Sequence, residues 1–196
     1  MGHQFEGRDL HHQKHYIAQT ILPGAKRSHG YAQVLLPGID PDAASRFPKG
    51  VKTNHPTFVY GHLAIYPDRI FKLLGRDDLA KADERYEQVF SPFVECEDDP
   101  TGTKYPKFDE VSKRYLERTD ALINFLETVD DEVLGAANPG PMKEMFPTIG
   151  SQVAFMLQSH TMMHLGQISA WRRMMGLGEA MQRPKAPAPA PAPAKM

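Results

Sequence analysis

The sequence lacks the features that would tie it to an oxidising compartment, a membrane or a nucleic acid. Its 196 residues include one cysteine, Cys96, so no internal disulfide can form and a reducing, cytoplasmic setting is the expectation. Charge of neither sign dominates: 23 Lys and Arg stand against 24 Asp and Glu, for a formal net charge of −1. Without a basic block or stripe there is little electrostatic footprint for nucleic acid or anionic lipid. No apolar signal core follows the opening "MGHQFEGRDLHHQKHY". The longest charge-free stretch, Phe146 to Trp171, also holds Gln152, Gln158, Ser159, His160, His164 and Gln167. That is too polar to face lipid, so it reads as a helix buried in protein.

Alternating β-branched runs are absent as well, whereas helical periodicity recurs. Residues 9–22 read as a short leading helix broken by "LPG" at Leu22 to Gly24, with a second helical stretch from Ala25 to Leu36. "TNHPTFVYGHLAIYPDRIFKLLG" reads as a helix with Asn54 as N-cap and Pro56 in its first turn, kinked at Pro67 and closed by Gly75. Residues 76–106 read as a long connection with one polar helical piece near Asp78 to Phe90. "KFDEVSKRYLERTDALINFLETV" is the most regular amphipathic pattern, and Thr148 can cap a final helix that ends at Gly176. Arg172 and Arg173 sit where they would complement that helix's C-terminal dipole. The expected architecture is all-α: a four-helix bundle with long connections over 22–178, an N-terminal extension over 1–21, and a disordered Pro/Ala-rich tail over 179–196.

Nine histidines are the one compositional excess. In the last helix Val153, Leu157, His160, His164, Ile168, Trp171 and Met175 recur at spacings of three and four, forming one inward stripe. His160 and His164 are then neighbours, about 6 Å apart at Cβ. Val59, His62, Tyr66, Ile70 and Leu73 form a similar stripe in the second helix. One core-facing histidine is ordinarily a satisfied core residue. Two at i, i+4 aim both rings at one point, and a third inward imidazole brings metal binding level with that plain reading. Three neutral nitrogens with an open position would suit a catalytic divalent metal. The pattern argues against a metalloprotease: "HTMMH" puts Thr161 where HExxH needs its general-base Glu.

"NHPTFVYGHLAIYPDRI", "FPTIG" and "SHTMMHLGQISAWRRMMGL" together resemble motifs of the DinB-like (DNA-damage-inducible) superfamily, over roughly residues 22–178. The resemblance implies a four-helix bundle, commonly a homodimer, in which His62, His160 and His164 hold a divalent metal (Zn, Ni or Fe). Many relatives carry an acidic residue where this chain has Thr161, so any role of that carboxylate is missing here. Gln167 matches the family and can hydrogen-bond a ligand or cap a bundle contact, and Gly166 most simply permits close helix packing. Characterised branches are metal-dependent transferases that use low-molecular-weight thiols. The implied activity is thus conjugation of such a thiol to a small-molecule electrophile. A metal-dependent small-molecule hydrolase and a non-catalytic metal-binding bundle stand as alternatives.

The remaining residues carry plainer expectations. Cys96 reads as an ordinary loop thiol whose acidic neighbours in "ECEDDP" raise its pKa, so the chain supplies no nucleophile near the site. Asp68 reads as surface-exposed. His11, His12 and His15 form a cluster able to scavenge metal, and His29 and His55 have no evident partner. Met156, Met162, Met163, Met174 and Met175 read as core and interface packing.

Overall fold

The structure, a computed structural model, describes residues 14–181, and it is all-helical: no strand occurs among them. Helices α1 (Tyr16–Leu35), α2 (Pro56–Leu73) and α4 (Phe108–Leu126) are joined by a fourth rod. That rod runs continuously through α6 (Ile149–Phe155), a π-helical turn (Met156–His160) and α7 (Thr161–Met174). The short helices α3 (Glu84–Phe90) and α5 (Asp131–Gly135) lie in the connections. Both α1 and α2 pack against α4 and against α7, and the most extensive contact is between α2 and α4. None of the described helices is long and apolar enough to cross a membrane.

Proline misleads at the first helix. Instead of breaking at "LPG", α1 runs through Pro23 and across the expected boundary at residues 21 and 22. Tertiary partners outweigh the local penalty. The Asp131 carboxylate accepts from the Tyr16 and Ile17 amides at 3.0 and 2.7 Å, anchoring the first turn. Gln158 Nε2 donates to the Ile21 carbonyl at 2.8 Å, just before the proline. The stem of Gln158 fits because Gly24 has no Cβ, which would lie 2.6 Å from its Cδ. Helix α2 likewise continues through Pro67 to Leu73.

The cap of α2 differs from expectation too. His55, not Asn54, is the N-cap: its Nδ1 accepts from the Phe58 amide at 3.1 Å, with Pro56 at the first helical position. Its Nε2–H donates to the Glu97 carbonyl at 3.1 Å, so the ring ties helix to loop as well. Every residue from His55 to Asp68 is buried, because α2 is covered by α4, α7 and α3. The single stripe predicted for it underestimates this burial. Asp68, expected at the surface, is inside: Arg118 Nη2 lies 2.6 Å and Arg114 Nη2 3.0 Å from its carboxylate.

The final rod does begin at Thr148, in a reciprocal capping box with Ser151. It ends before Gly176, which takes a φ of 80°. Arg172 serves a different helix from the one expected. Buried, it donates through Nη1 to the Leu35 and Pro37 carbonyls at 2.9 and 2.7 Å, closing the C-terminus of α1. The cluster residues His11 and His12, and the tail from residue 182 onward, lie outside the described residues.

Candidate metal centre

His62 enters from the middle of α2, His160 from the last position of the π turn, and His164 from the first turn of α7. All three are buried, and each offers one ring nitrogen within 4.8 Å of the others. His62 Nε2 and His160 Nε2 are 3.4 Å apart. Metal–nitrogen bonds of about 2.0–2.1 Å place tetrahedral neighbours about 3.3 Å apart, so this spacing is that of two ligands sharing a metal.

The outer nitrogens decide which lone pairs are free. His62 Nδ1 lies 2.7 Å from the Phe90 carbonyl, which can only accept, so the proton is on Nδ1 and Nε2 keeps its lone pair. His164 Nδ1 lies 3.0 Å from Gln167 Oε1, which fixes the same tautomer. The same oxygen accepts from Asn54 Nδ2 at 3.0 Å, so the residue just before the α2 cap holds Gln167 in place. Carbonyl and amide partners on the distal nitrogen are how metal-binding imidazoles are oriented. His160 differs, since its buried Nδ1 has no hydrogen-bond partner.

Burial pushes the His62 pKa down to about 4. Burial, reinforced by His164 and His62, takes His160 down to about 3. His164 is lowered as well, by burial, with the Gln167 contact opposing. Three neutral imidazoles therefore face one another at neutral pH. Two lone pairs meeting at 3.4 Å would repel unless a proton or a cation lies between them, and that donor set fits a divalent metal.

Local backbone builds this arrangement. The π turn leaves carbonyls without their usual helical donors, and side chains cover them: Thr161 Oγ1 donates to the Met156 carbonyl at 2.8 Å, and Ser28 Oγ reaches that of Leu157 at 2.5 Å. Thr161 is thus buried under the turn and braces it. Gly61 matters for another reason. A Cβ there would lie 2.4 Å from the Phe90 ring, so only glycine lets α3 approach closely enough for the Phe90 carbonyl to meet His62. Gly166, by contrast, is exposed, and a Cβ at that position would meet nothing within 4 Å, so it serves no packing within the chain.

The three histidines share the wall of an open cleft of about 330 Å³ with Tyr66, Glu95 and Cys96. Cys96 therefore lies closer to the site than its loop position suggests, although outside the three-histidine group. Its thiol is pushed up to about 11, chiefly by burial, with the acidic neighbours adding to the effect. It is not a ready nucleophile. Sequence reasoning missed Tyr66 as a site residue; its hydroxyl lies 3.2 Å from His62 Nε2. Its place on the α2 stripe one turn beyond His62 was the available signal. Asn54 and the Phe90 carbonyl had none, because the first looked like a cap and the second is backbone. Glu95 is largely exposed and paired with Lys52 at 2.6 Å.

No family model matches the chain, and no match was found among curated proteins or solved structures. What stands is the observation itself: a buried three-histidine group able to hold a metal ion, open to a cleft.

Proposed function

We propose that the chain is a DinB-like metalloprotein that activates a low-molecular-weight thiol for conjugation to a small electrophile. The observation that carries this reading is the convergence of three imidazoles, two with tautomers fixed by outer partners, on a cleft with room for a small molecule. A divalent ion held by His62, His160 and His164 supplies the positive charge that turns a neighbouring thiol into a thiolate at neutral pH. The cleft walls admit the thiol, and Phe58, stacked 6.2 Å from the His62 ring, lines its apolar side. The nucleophile comes from outside the chain, because the thiol of Cys96 is held protonated.

Two further features support the family reading. The contacts of α1 and α2 with both α4 and α7 are consistent with a four-helix bundle. On α7, Met163, Gly166, Ala170 and Met174 are exposed at i, i+3, i+7 and i+11. That apolar strip, free of a large side chain at Gly166, suits a second copy of the chain in a homodimer. The hydrolase alternative, which has no obvious general base, gains none from Asp68, buried between two arginines.

The test begins with elemental analysis of the full chain carrying His11→Ala, His12→Ala and His15→Ala. About one divalent metal per chain, lost in His62→Ala, His160→Ala and His164→Ala, is the expected result. Thiols are then screened against small electrophiles with metal-loaded protein. If no thiol turns over faster than with the His164→Ala variant, the transferase reading fails.

A further inference from the structure

The geometry points to Tyr66 as a fourth protein ligand of the metal, an incoming thiol then taking a fifth position, an inference that rests on the three-histidine reading above. The Tyr66 hydroxyl lies 3.2 Å from His62 Nε2, and His160 Nε2 lies 3.4 Å from that same nitrogen. Both separations match the distance of about 3.3 Å between neighbouring ligand atoms on a tetrahedral metal with bonds of about 2.0–2.1 Å. The oxygen therefore has the same relation to His62 as the His160 nitrogen has.

Placement along the chain favours the same role. Tyr66 follows His62 by one turn of α2, so the two side chains leave one face of the helix. The Tyr66 ring lies 4.6 Å from that of His160 and 5.1 Å from that of His62. It thus reaches across the group, not merely alongside it.

The hydrogen-bond pattern adds a reason. The only partner of the Tyr66 hydroxyl among the described residues is the lone pair of His62 Nε2. A cation bound at that nitrogen takes the lone pair, so the hydroxyl, which lines the cleft, must find another partner. The bound cation offers one: the O–H bond breaks, the proton leaves to solvent, and an oxygen–metal bond forms. Among the described residues no carboxylate or thiol joins the three histidines in that group. Three neutral nitrogens and one anionic oxygen favour Zn(II), Cu(II) or Fe(III) over Ca or Mg.

Copper(II) makes the assignment visible, because a bound phenolate gives a charge-transfer band in the visible range that imidazole ligands do not. The full chain, its Tyr66→Phe variant and a Tyr16→Phe control at an exposed tyrosine would each be loaded with one equivalent of copper. All of these proteins also carry His3→Ala, His11→Ala, His12→Ala and His15→Ala, so that the single equivalent of copper is not captured by the N-terminal histidines. The expected result is a band in wild type and Tyr16→Phe that is lost in Tyr66→Phe while about one copper per chain is retained. A wild-type protein with copper at the triad but no such band, or a band that survives Tyr66→Phe, overturns the role of Tyr66 alone. Copper uptake unaffected by His164→Ala overturns the three-histidine site and this inference with it.

Discussion

At the scale of single residues, the site depends on atoms that never touch the metal position. Gln167 Oε1 holds the proton of His164 on Nδ1 and is itself held by Asn54. Removing such an outer partner typically costs metal affinity about 10–100-fold. Gln167→Ala should weaken binding by that factor in a competition titration against a chromophoric chelator. Gln167→Glu keeps an acceptor at the position and should stay close to wild type. Equal loss in both variants would show that Gln167 acts through packing and not through the tautomer. A second residue-scale prediction concerns His55, whose neutral ring accepts from Phe58 and donates to Glu97. Burial, only partly opposed by the Glu97 carbonyl and by Asp98 and Asp99, pushes its pKa from 6.5 down to about 4. As pH falls from about 6.5 to about 4 the unfolded chain takes up a proton that the folded chain refuses. Stability is therefore full above about 6.5 and declines across that window, by about 3 kcal/mol for this one group. His55→Asn retains a capping acceptor that does not titrate, so urea melts at pH 7 and pH 5 should differ less in the variant. An unchanged difference would remove His55 from the acid response.

At the scale of elements, the join between α2 and α4 is electrostatic as well as apolar. Asp68 is 2% exposed and accepts from Arg114, Arg118 and the Lys81 amide. Removing the carboxylate leaves two guanidinium groups without their counter-charge, a loss of about 3–5 kcal/mol for a buried pair. Asp68→Asn should lower the melting temperature sharply, whereas Asp78→Asn at an exposed pair with Arg76 should leave it unmoved. Comparable melting of the two variants would contradict the picture of a buried ionic join. Elements also show what the sequence could and could not disclose. His62, His160 and His164 were legible because the 3.6-residue period puts them on faces that must be buried. The α4 pattern was legible for the same reason, with Val111, Tyr115 and Leu122 fully inside. Asp68 was not, because its partners lie 46 and 50 residues away and only the packed fold brings them near. Pro23 misled because a local rule about helix breaking was applied where distant segments hold the helix, Gln158, 137 residues from Ile21, among them. The π turn was invisible for a related reason, since the donors that stabilise it are Thr161 and a serine on another helix.

At the scale of the whole molecule, the three histidines join α2 to the final rod, while α1 and α4 supply no ligand. A metal bound there acts as a cross-link present only in the folded chain, because residue 62 is far from residues 160 and 164 in an unfolded one. Metal that binds only the native state stabilises it by RT ln(1 + [L]/Kd), about 2.7 kcal/mol at a hundredfold excess over Kd. For a chain of this length each kcal/mol raises the melting temperature by about 2–4 °C, so a shift of about 5–11 °C is expected. The shift should grow with the logarithm of metal concentration, reverse with a chelator, and vanish in His62→Ala and His164→Ala. Those variants should also melt no lower than the metal-free wild type by more than the loss of a buried ring explains, because in the absence of metal His62 Nε2 and His160 Nε2 gain little from facing each other. A wild-type protein whose melting ignores every divalent ion tested, with the histidine variants strongly destabilised, would make the cluster part of the core and leave the cleft without its chemistry.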